Sequence, residues 1–281
     1  MKAAVVTAFD TPPRYQDAPA PTPAEGEVVV DVVAAGLHPR VRSQAGGSHY
    51  TSTDELPLVP GIDGVGRDPQ GALRYFVLHD TTQGAMAEQT VIDPRRSVVL
   101  PDGVDPVAVA AAMNPAMSSW VALRQRIAFE PGRSVLVLGA TGNAGRMAVQ
   151  VAKLLGAGRV VAAGRDPERL DALPALGADA VVSLAGTPDD VAARLAEAAA
   201  DVDVVVDYVW GPAAAAAMVA IVTARPDRGK PLTWVEIGSM GAARPRSRRR
   251  RCVRHGSSSS AAVRGPSARA RSSRSSARSP T

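Results

Sequence analysis

Val135-Leu136-Val137-Leu138-Gly139-Ala140-Thr141-Gly142-Asn143-Ala144-Gly145-Arg146-Met147-Ala148-Val149-Gln150 is the stretch that decides the fold. It opens as an uncharged β run, turns through three evenly spaced glycines and continues as a helix. A G-x-x-G-x-x-G pattern is a weak signal alone; between a strand and a helix, inside a βαβ unit, it marks a pyrophosphate site. Gly139 suits a sharp exit from the strand, Gly142 a close approach of the backbone to a phosphate, and Gly145 tight helix–strand packing. The helix N-terminus adds N–H groups and a positive dipole end. Gly139, Ala140, Thr141, Gly142, Asn143, Ala144 and Gly145 are therefore the expected cradle for a dinucleotide.

The same alternation continues outward. Strands are expected at Arg159–Ala163, Ala180–Ser183, Val202–Val206 and Thr233–Ile237. Helices are expected over 146–155, 167–176 and 188–200, with an alanine-rich one after Gly211-Pro212. Continuous apolar strands alternating with helices predict a parallel sheet covered on both faces, the doubly wound α/β class.

The second strand selects the cofactor. An NAD site places an acid near its end to bind the ribose 2′-OH. Here the strand ends at Gly164-Arg165, and a guanidinium suits the 2′-phosphate of NADPH. Asp166 keeps NADH open, since it could turn inward as the ribose acid.

Residues 1–113 read as a β-rich unit. Short runs at Ala3–Val6, Val28–Val33, Tyr75–Leu78, Ala87–Ile92 and Val98–Leu100 suggest a partly open barrel. Pro12, Pro13, Pro19, Pro21 and Pro23 argue against regular structure between the first two. Asp105-Pro106 reads as a helix start for 107–113, and 118–127 reads as a second helix.

Composition fits a globular chain: 281 residues, 46% apolar and 21% charged. The net charge of +5 suggests nucleic-acid binding until it is divided. Arg244 to Thr281 holds 12 of the 32 basic residues and no acid, leaving 20 basic against 27 acidic residues, net −7, for residues 1–243. One cysteine, Cys252, excludes an intrachain disulfide framework and a cysteine zinc site. No run reads as a membrane span or a signal peptide, so the cytoplasm is the expected location. After Met240 the text carries too little apolar surface to order itself and predicts a disordered Arg/Ser-rich tail. Three readings fit it: a phosphate-binding arm, a solvated tail, or a C-terminus altered by a shifted reading frame. The third fits best, because the alternation stops one strand short of the six in a full dinucleotide fold.

Taken in order, several stretches resemble the medium-chain dehydrogenase/reductase superfamily, and most its zinc-free quinone oxidoreductase branch. They are Ala34-Ala35-Gly36-Leu37-His38-Pro39, Leu58-Val59-Pro60-Gly61-Ile62-Asp63-Gly64-Val65-Gly66, Gly84-Ala85-Met86-Ala87-Glu88, Leu100-Pro101-Asp102-Gly103-Val104, the glycine turn, and Ala148-Val149-Gln150-Val151-Ala152-Lys153. The resemblance covers about residues 1–241. It implies a GroES-like substrate and catalytic domain over 1–113, a Rossmann NAD(P)-binding domain over 114–241, and a non-native tail over 242–281.

Zinc-dependent relatives have Gly-x-Cys near position 38 and Gly-His-Glu near 61–63. Gly36-Leu37-His38 and Gly61-Ile62-Asp63 stand there instead, so no metal is expected. His38, His49 and Asp63 match no usual zinc spacing. The resemblance implies that Asn114, Ser118, Tyr208, Val209, Gly238 and Ser239 join the cradle, Gly164 and Arg165 in holding NADPH. His38 could donate to a substrate carbonyl, with Tyr50 as a pocket wall or donor. His79 reads as a surface residue, and Trp120, Trp210 and Trp234 as packing.

The expected activity is hydride transfer from NADPH to a quinone or α,β-unsaturated carbonyl. Three alternatives stay open: a carbonyl or alcohol dehydrogenase, a nucleotide-binding protein without turnover, and nucleic-acid binding through the tail. The resemblance also implies a homodimer, whose edge a chain without the sixth strand would lose.

Overall fold

A computed structural model describes residues 1–49 and 52–238. These form two compact units, divided between Ser118 and Ser119.

In the first unit, β1 (Lys2–Val5) pairs antiparallel with β2 (Arg14–Asp17). The prolines had argued against structure in this region. They leave room for β2 because the strand needs only four of the five residues between Pro13 and Pro19. A five-stranded antiparallel sheet follows, with neighbours in the order β6-β3-β4-β5-β7. Its strands are β3 (Val28–Ala35), β4 (Asp63–Arg67), β5 (Leu73–Val77), β6 (Gln89–Ile92) and β7 (Ser97–Val99). Val30, Phe76, Leu78, Ala85 and Ile92 fill its core. A short helix, α1 (Pro39–Ala45), leaves β3 with Pro39 in its first turn.

Helix α2 (Pro106–Val121) starts where Asp105 accepts a hydrogen bond from the Val107 N–H at 2.9 Å, as an N-terminal cap does. The two helices expected here are one. Pro115 lies inside α2, and a π-helical turn (Ala122–Arg126) continues it. The run Pro106–Arg126 has 21 residues and a mean hydropathy of 1.2. It is the one helix among the described residues long and apolar enough to cross a membrane by length and composition, which the sequence reading had not anticipated. Asn114 and Pro115 interrupt its apolar run.

The second unit is a parallel sheet in the order β10-β9-β8-β11-β12. Its strands are β8 (Ser134–Leu138), β9 (Arg159–Gly164), β10 (Ala180–Ser183), β11 (Val204–Asp207) and β12 (Thr233–Glu236). Counted from β8, this is 3-2-1-4-5, five strands of the six-strand dinucleotide order. The expected absence of a sixth strand and the tail both fall outside the described residues. Helices α3 (Asn143–Leu154), α4 (Pro167–Asp171), α5 (Pro188–Ala199) and α6 (Pro212–Ala224) make the crossovers.

Strand alternation builds two cores. Val135, Val137, Val160, Ala162, Val204 and Val206 pack on one face with Ala148, Val149 and Ala152 of α3. Leu136, Leu138, Val161, Ala163 and Val205 pack on the other with Leu195, Ala214 and Ile221 of α5 and α6. A fully buried leucine such as Leu136 is worth roughly 2–5 kcal/mol against alanine. Burial on both faces explains why the middle of each strand is apolar and the charged residues, Arg159, Asp207 and Glu236, stand at strand ends.

Candidate functional site

The direction of winding reverses between β8 and β11, and ligands of open α/β sheets bind beyond the strand ends at such a point. The glycine turn lies there. Gly139 leaves β8 with φ of 85°, in the left-handed region open to glycine. A Cβ at Gly145 would lie 2.6 Å from the Ala140 Cα and would also overlap the Gly139 carbonyl, so only glycine lets α3 start this close to β8. A Cβ at Gly142 would meet nothing nearer than 3.6 Å, so this side of the turn is open. Gly142 is also the N-cap of α3, and no side chain caps the helix. The turn thus fits a pyrophosphate: space beside Gly142, a helix N-terminus behind it, and no side-chain oxygen of the cap in the phosphate's place.

Other expected cofactor residues gather around this turn. Tyr208 Cβ and Val209 Cγ2 lie 3.3 Å from where a Gly139 Cβ would stand. Gly164 backs onto the Thr141 side chain. The Gly238 N–H donates to the Asp207 carbonyl at 3.2 Å, bringing the end of β12 to the end of β11. Asn114 and Ser118 lie on α2, in the first unit, where the Ser118 hydroxyl donates to the Pro115 carbonyl at 2.6 Å. Tyr50 and Ser239 lie outside the described residues.

The loop after β11 is held by a group the sequence reading did not single out. Asp207 is wholly buried; one carboxylate oxygen accepts the Val209 and Trp210 N–H groups at 2.7 and 3.0 Å, and the other accepts Trp234 Nε1 at 3.0 Å. Trp234 therefore packs as expected and also donates. Trp120 and Trp210 do not pack fully: they are 41% and 38% exposed. Trp210 sits at a tight turn with φ of 47°, and Trp120 has Arg124 6.0 Å from its ring centre. Across the register from Asp207 stands Glu236, whose pKa is raised by burial and by the Asp207 charge.

At the end of β9, Asp166 is committed locally. It is the N-cap of α4, accepting the Arg169 N–H at 3.2 Å and pairing with Arg169 Nε at 3.3 Å. The alternative in which Asp166 turns inward as a ribose acid requires giving up this cap. Arg165 is exposed, and among the described residues it has no ion pair or side-chain hydrogen bond.

The first unit buries a polar constellation around Asp63. His38 Nε2 lies 2.9 Å from Asp63 Oδ1, and the Tyr75 hydroxyl donates to Asp63 Oδ2 at 2.9 Å. The Asp63 side chain is fully buried and that of His38 is 9% exposed. Burial, then the charge and the hydrogen bond of Asp63, push the Tyr75 phenol well above its ordinary range, so it stays a donor. Tyr75 escaped the sequence reading, because only the β4–β5 register brings it to Asp63. His79 is exposed beside Arg96, as expected. Among the described residues no group of three or more His, Cys, Asp and Glu side chains is arranged to hold a metal ion.

A Rossmann-type sheet with a glycine cradle at its switch point, on one chain with a small antiparallel unit carrying a buried His–Asp pair, is the build of a dinucleotide-dependent dehydrogenase or reductase. Similarity to known proteins narrows the class. The family model described as zinc-binding dehydrogenase matches residues 144–226. A relative named "Probable NADPH-dependent quinone reductase tdiC", from Emericella nidulans, is 34% identical over 274 residues, covering 85% of this chain and 76% of its own length. The 2-methylene-furan-3-one reductase of Solanum lycopersicum is 29% identical over 174 residues, 56% of this chain and 45% of its own. The quinone oxidoreductase of Thermus thermophilus, a structure described together with its NADPH complex, superposes with a TM-score of 0.68 at 31% identity, covering 78% of this chain and 70% of that one. The chain belongs to the medium-chain dehydrogenase/reductase superfamily, in its quinone oxidoreductase-like branch.

Proposed function

We propose that this oxidoreductase uses NADPH to reduce a quinone or an α,β-unsaturated carbonyl, without zinc. The observation that carries the cofactor choice is the end of β9: Asp166 is spent on capping α4, and Arg165 stands exposed beside it. The N–H groups of the Gly142–Gly145 turn would hold the pyrophosphate, and Arg165 the 2′-phosphate. Bound NADPH supplies the hydride.

The protein's own part is orientation and charge. Residues 114–241 act as the cofactor domain and residues 1–113 as the substrate domain. His38 acts as the hydrogen-bond and proton donor to the substrate oxygen as negative charge develops there. Tyr50 and Ser239 remain assigned to the substrate wall and to the cofactor. The zinc-free reading rests on Asp63: both its oxygens already accept hydrogen bonds, and His38 stands where zinc-dependent relatives have cysteine. We place the enzyme in the cytoplasm, as its composition suggests.

Titration with NADPH and NADH, followed by quenching of tryptophan fluorescence, tests the cofactor assignment. Tighter binding of NADPH is expected; equal affinities for the two would remove it.

A further inference from the structure

A buried carboxylate needs an explanation, because desolvation costs several kcal/mol unless hydrogen bonds and charge offset it. Asp63 is wholly buried at the start of β4, and the surrounding chain makes room for it. A Cβ at Gly36 would lie 2.6 Å from Asp63 Oδ1, so Gly36 is the opening that admits the carboxylate. The Gly36 N–H also donates to the Asp63 carbonyl at 2.9 Å, extending the β3–β4 ladder to the residue two before His38. The register of that ladder shifts between Val32 and Ala34, and such bulges re-aim the strand that carries them. Backbone, bulge and glycine all act to bring Asp63 and His38 together.

A carboxylate only accepts hydrogen bonds. The 2.9 Å contact therefore puts a proton on His38 Nε2, and the Tyr75 hydroxyl, also donating, holds the other oxygen. His38 is the N-cap residue of α1, yet its side chain makes no capping hydrogen bond, so Nδ1 is not spent on the helix.

We propose that Asp63 is the positioning residue of the reaction: it locks His38 in the Nε2–H form, so that Nδ1 is the nitrogen that gives the proton, and Tyr75 locks Asp63. The proposal rests on His38 being the donor argued above. In the step, the protonated ring releases the Nδ1 proton to the substrate oxygen as an O–H bond forms. The ring is left neutral with its proton on Nε2, and Nδ1 regains one from water. Asp63 keeps its hydrogen bond to Nε2 throughout and stabilises the imidazolium before transfer.

The test is the proton position in the full chain, labelled with 15N-histidine and measured without substrate. Four histidines make the long-range 1H–15N spectrum assignable, with His38 identified by its loss in His38→Gln. With the ring neutral, Nε2 is expected to carry the proton and Nδ1 to be bare. In Asp63→Asn the buried Tyr75 hydroxyl needs an acceptor and takes the amide oxygen. The amide NH2 then faces His38, and the proton moves to Nδ1. Tyr75→Phe keeps the wild-type form. A wild-type proton on Nδ1, or an Asp63→Asn spectrum still showing Nε2–H, overturns the proposal, and the wild-type measurement alone suffices if the variant does not fold.

Kinetics separates this from the reading beneath it. Asp63→Asn and His38→Gln are each expected to lower kcat roughly 100-fold or more, as loss of a general acid does, and the double variant to fall little further. Additive losses overturn the positioning role. Unchanged turnover in His38→Gln overturns the donor role of His38 itself, whatever the spectrum shows.

Discussion

Replacing Arg165 with alanine isolates the cofactor argument. Arg165 is exposed and, among the described residues, unpaired, so the substitution breaks no internal contact and the fold should hold. Its worth is then its attraction for a 2′-phosphate. A charge pair at about 4 Å is worth ~1 kcal/mol in water and ~4 kcal/mol at an effective dielectric of 20. Charge-assisted hydrogen bonds run to ~1.5–3 kcal/mol, and exposure places this one at the lower end. A loss of ~1.5–2 kcal/mol weakens NADPH binding roughly 10- to 30-fold. NADH lacks the phosphate and should bind as before. The assay is a pair of titrations on wild type and Arg165→Ala, repeated at high salt, where the NADPH advantage should narrow. Asp166→Ala is the control: it should lower Tm through loss of the α4 cap without weakening NADH. If Arg165→Ala weakens both cofactors equally, or if Asp166→Ala selectively weakens NADH, the reasoning is refuted and Asp166 is the ribose acid.

Other expectations follow from particular contacts. Gly145→Ala forces a Cβ against Ala140 and should cost ~1–3 kcal/mol in urea unfolding, with loss of NADPH affinity; an unperturbed variant would remove the close-packing role of this glycine. Asp207→Ala takes the acceptor from the buried Trp234 Nε1 and from two half-buried backbone N–H groups, so thermal unfolding should show a loss of about 1–3 kcal/mol for the indole and less for each backbone group. Glu236 has a raised pKa in the fold, so its favourable contribution exists below the unfolded carboxylate value and is lost as pH rises through the folded one. Glu236→Gln should therefore raise Tm at neutral pH, with the gain vanishing in acid; a gain independent of pH would point to packing instead.

The second unit was legible because its signal is redundant. Strands buried on both faces read as unbroken apolar runs, and each is followed by a helix, so boundaries fall within a few residues of those expected. The first unit was harder. Strand β4 carries Gly64 and Gly66, which look like turn residues; Gly66 is there because a Cβ would press against Val30 Cγ2 at 2.9 Å. Asn114-Pro115 split α2 into two helices on paper, but the helix runs through Pro115. The glycine turn is local in sequence, so its place between β8 and α3 is legible from the pattern alone. The His38–Asp63–Tyr75 constellation is assembled from residues 25 and 12 positions apart by strand pairing, and spacing cannot reveal it.

The proposed activity is NADPH-dependent reduction without zinc. Its most direct test is oxidation of NADPH by the purified full chain with 1,4-benzoquinone or 9,10-phenanthrenequinone, before and after exhaustive treatment with EDTA. Turnover should prefer NADPH to NADH and stay unchanged by the chelator. Loss of activity on metal removal, or NADPH binding with no turnover of either quinone or an enone, would contradict it.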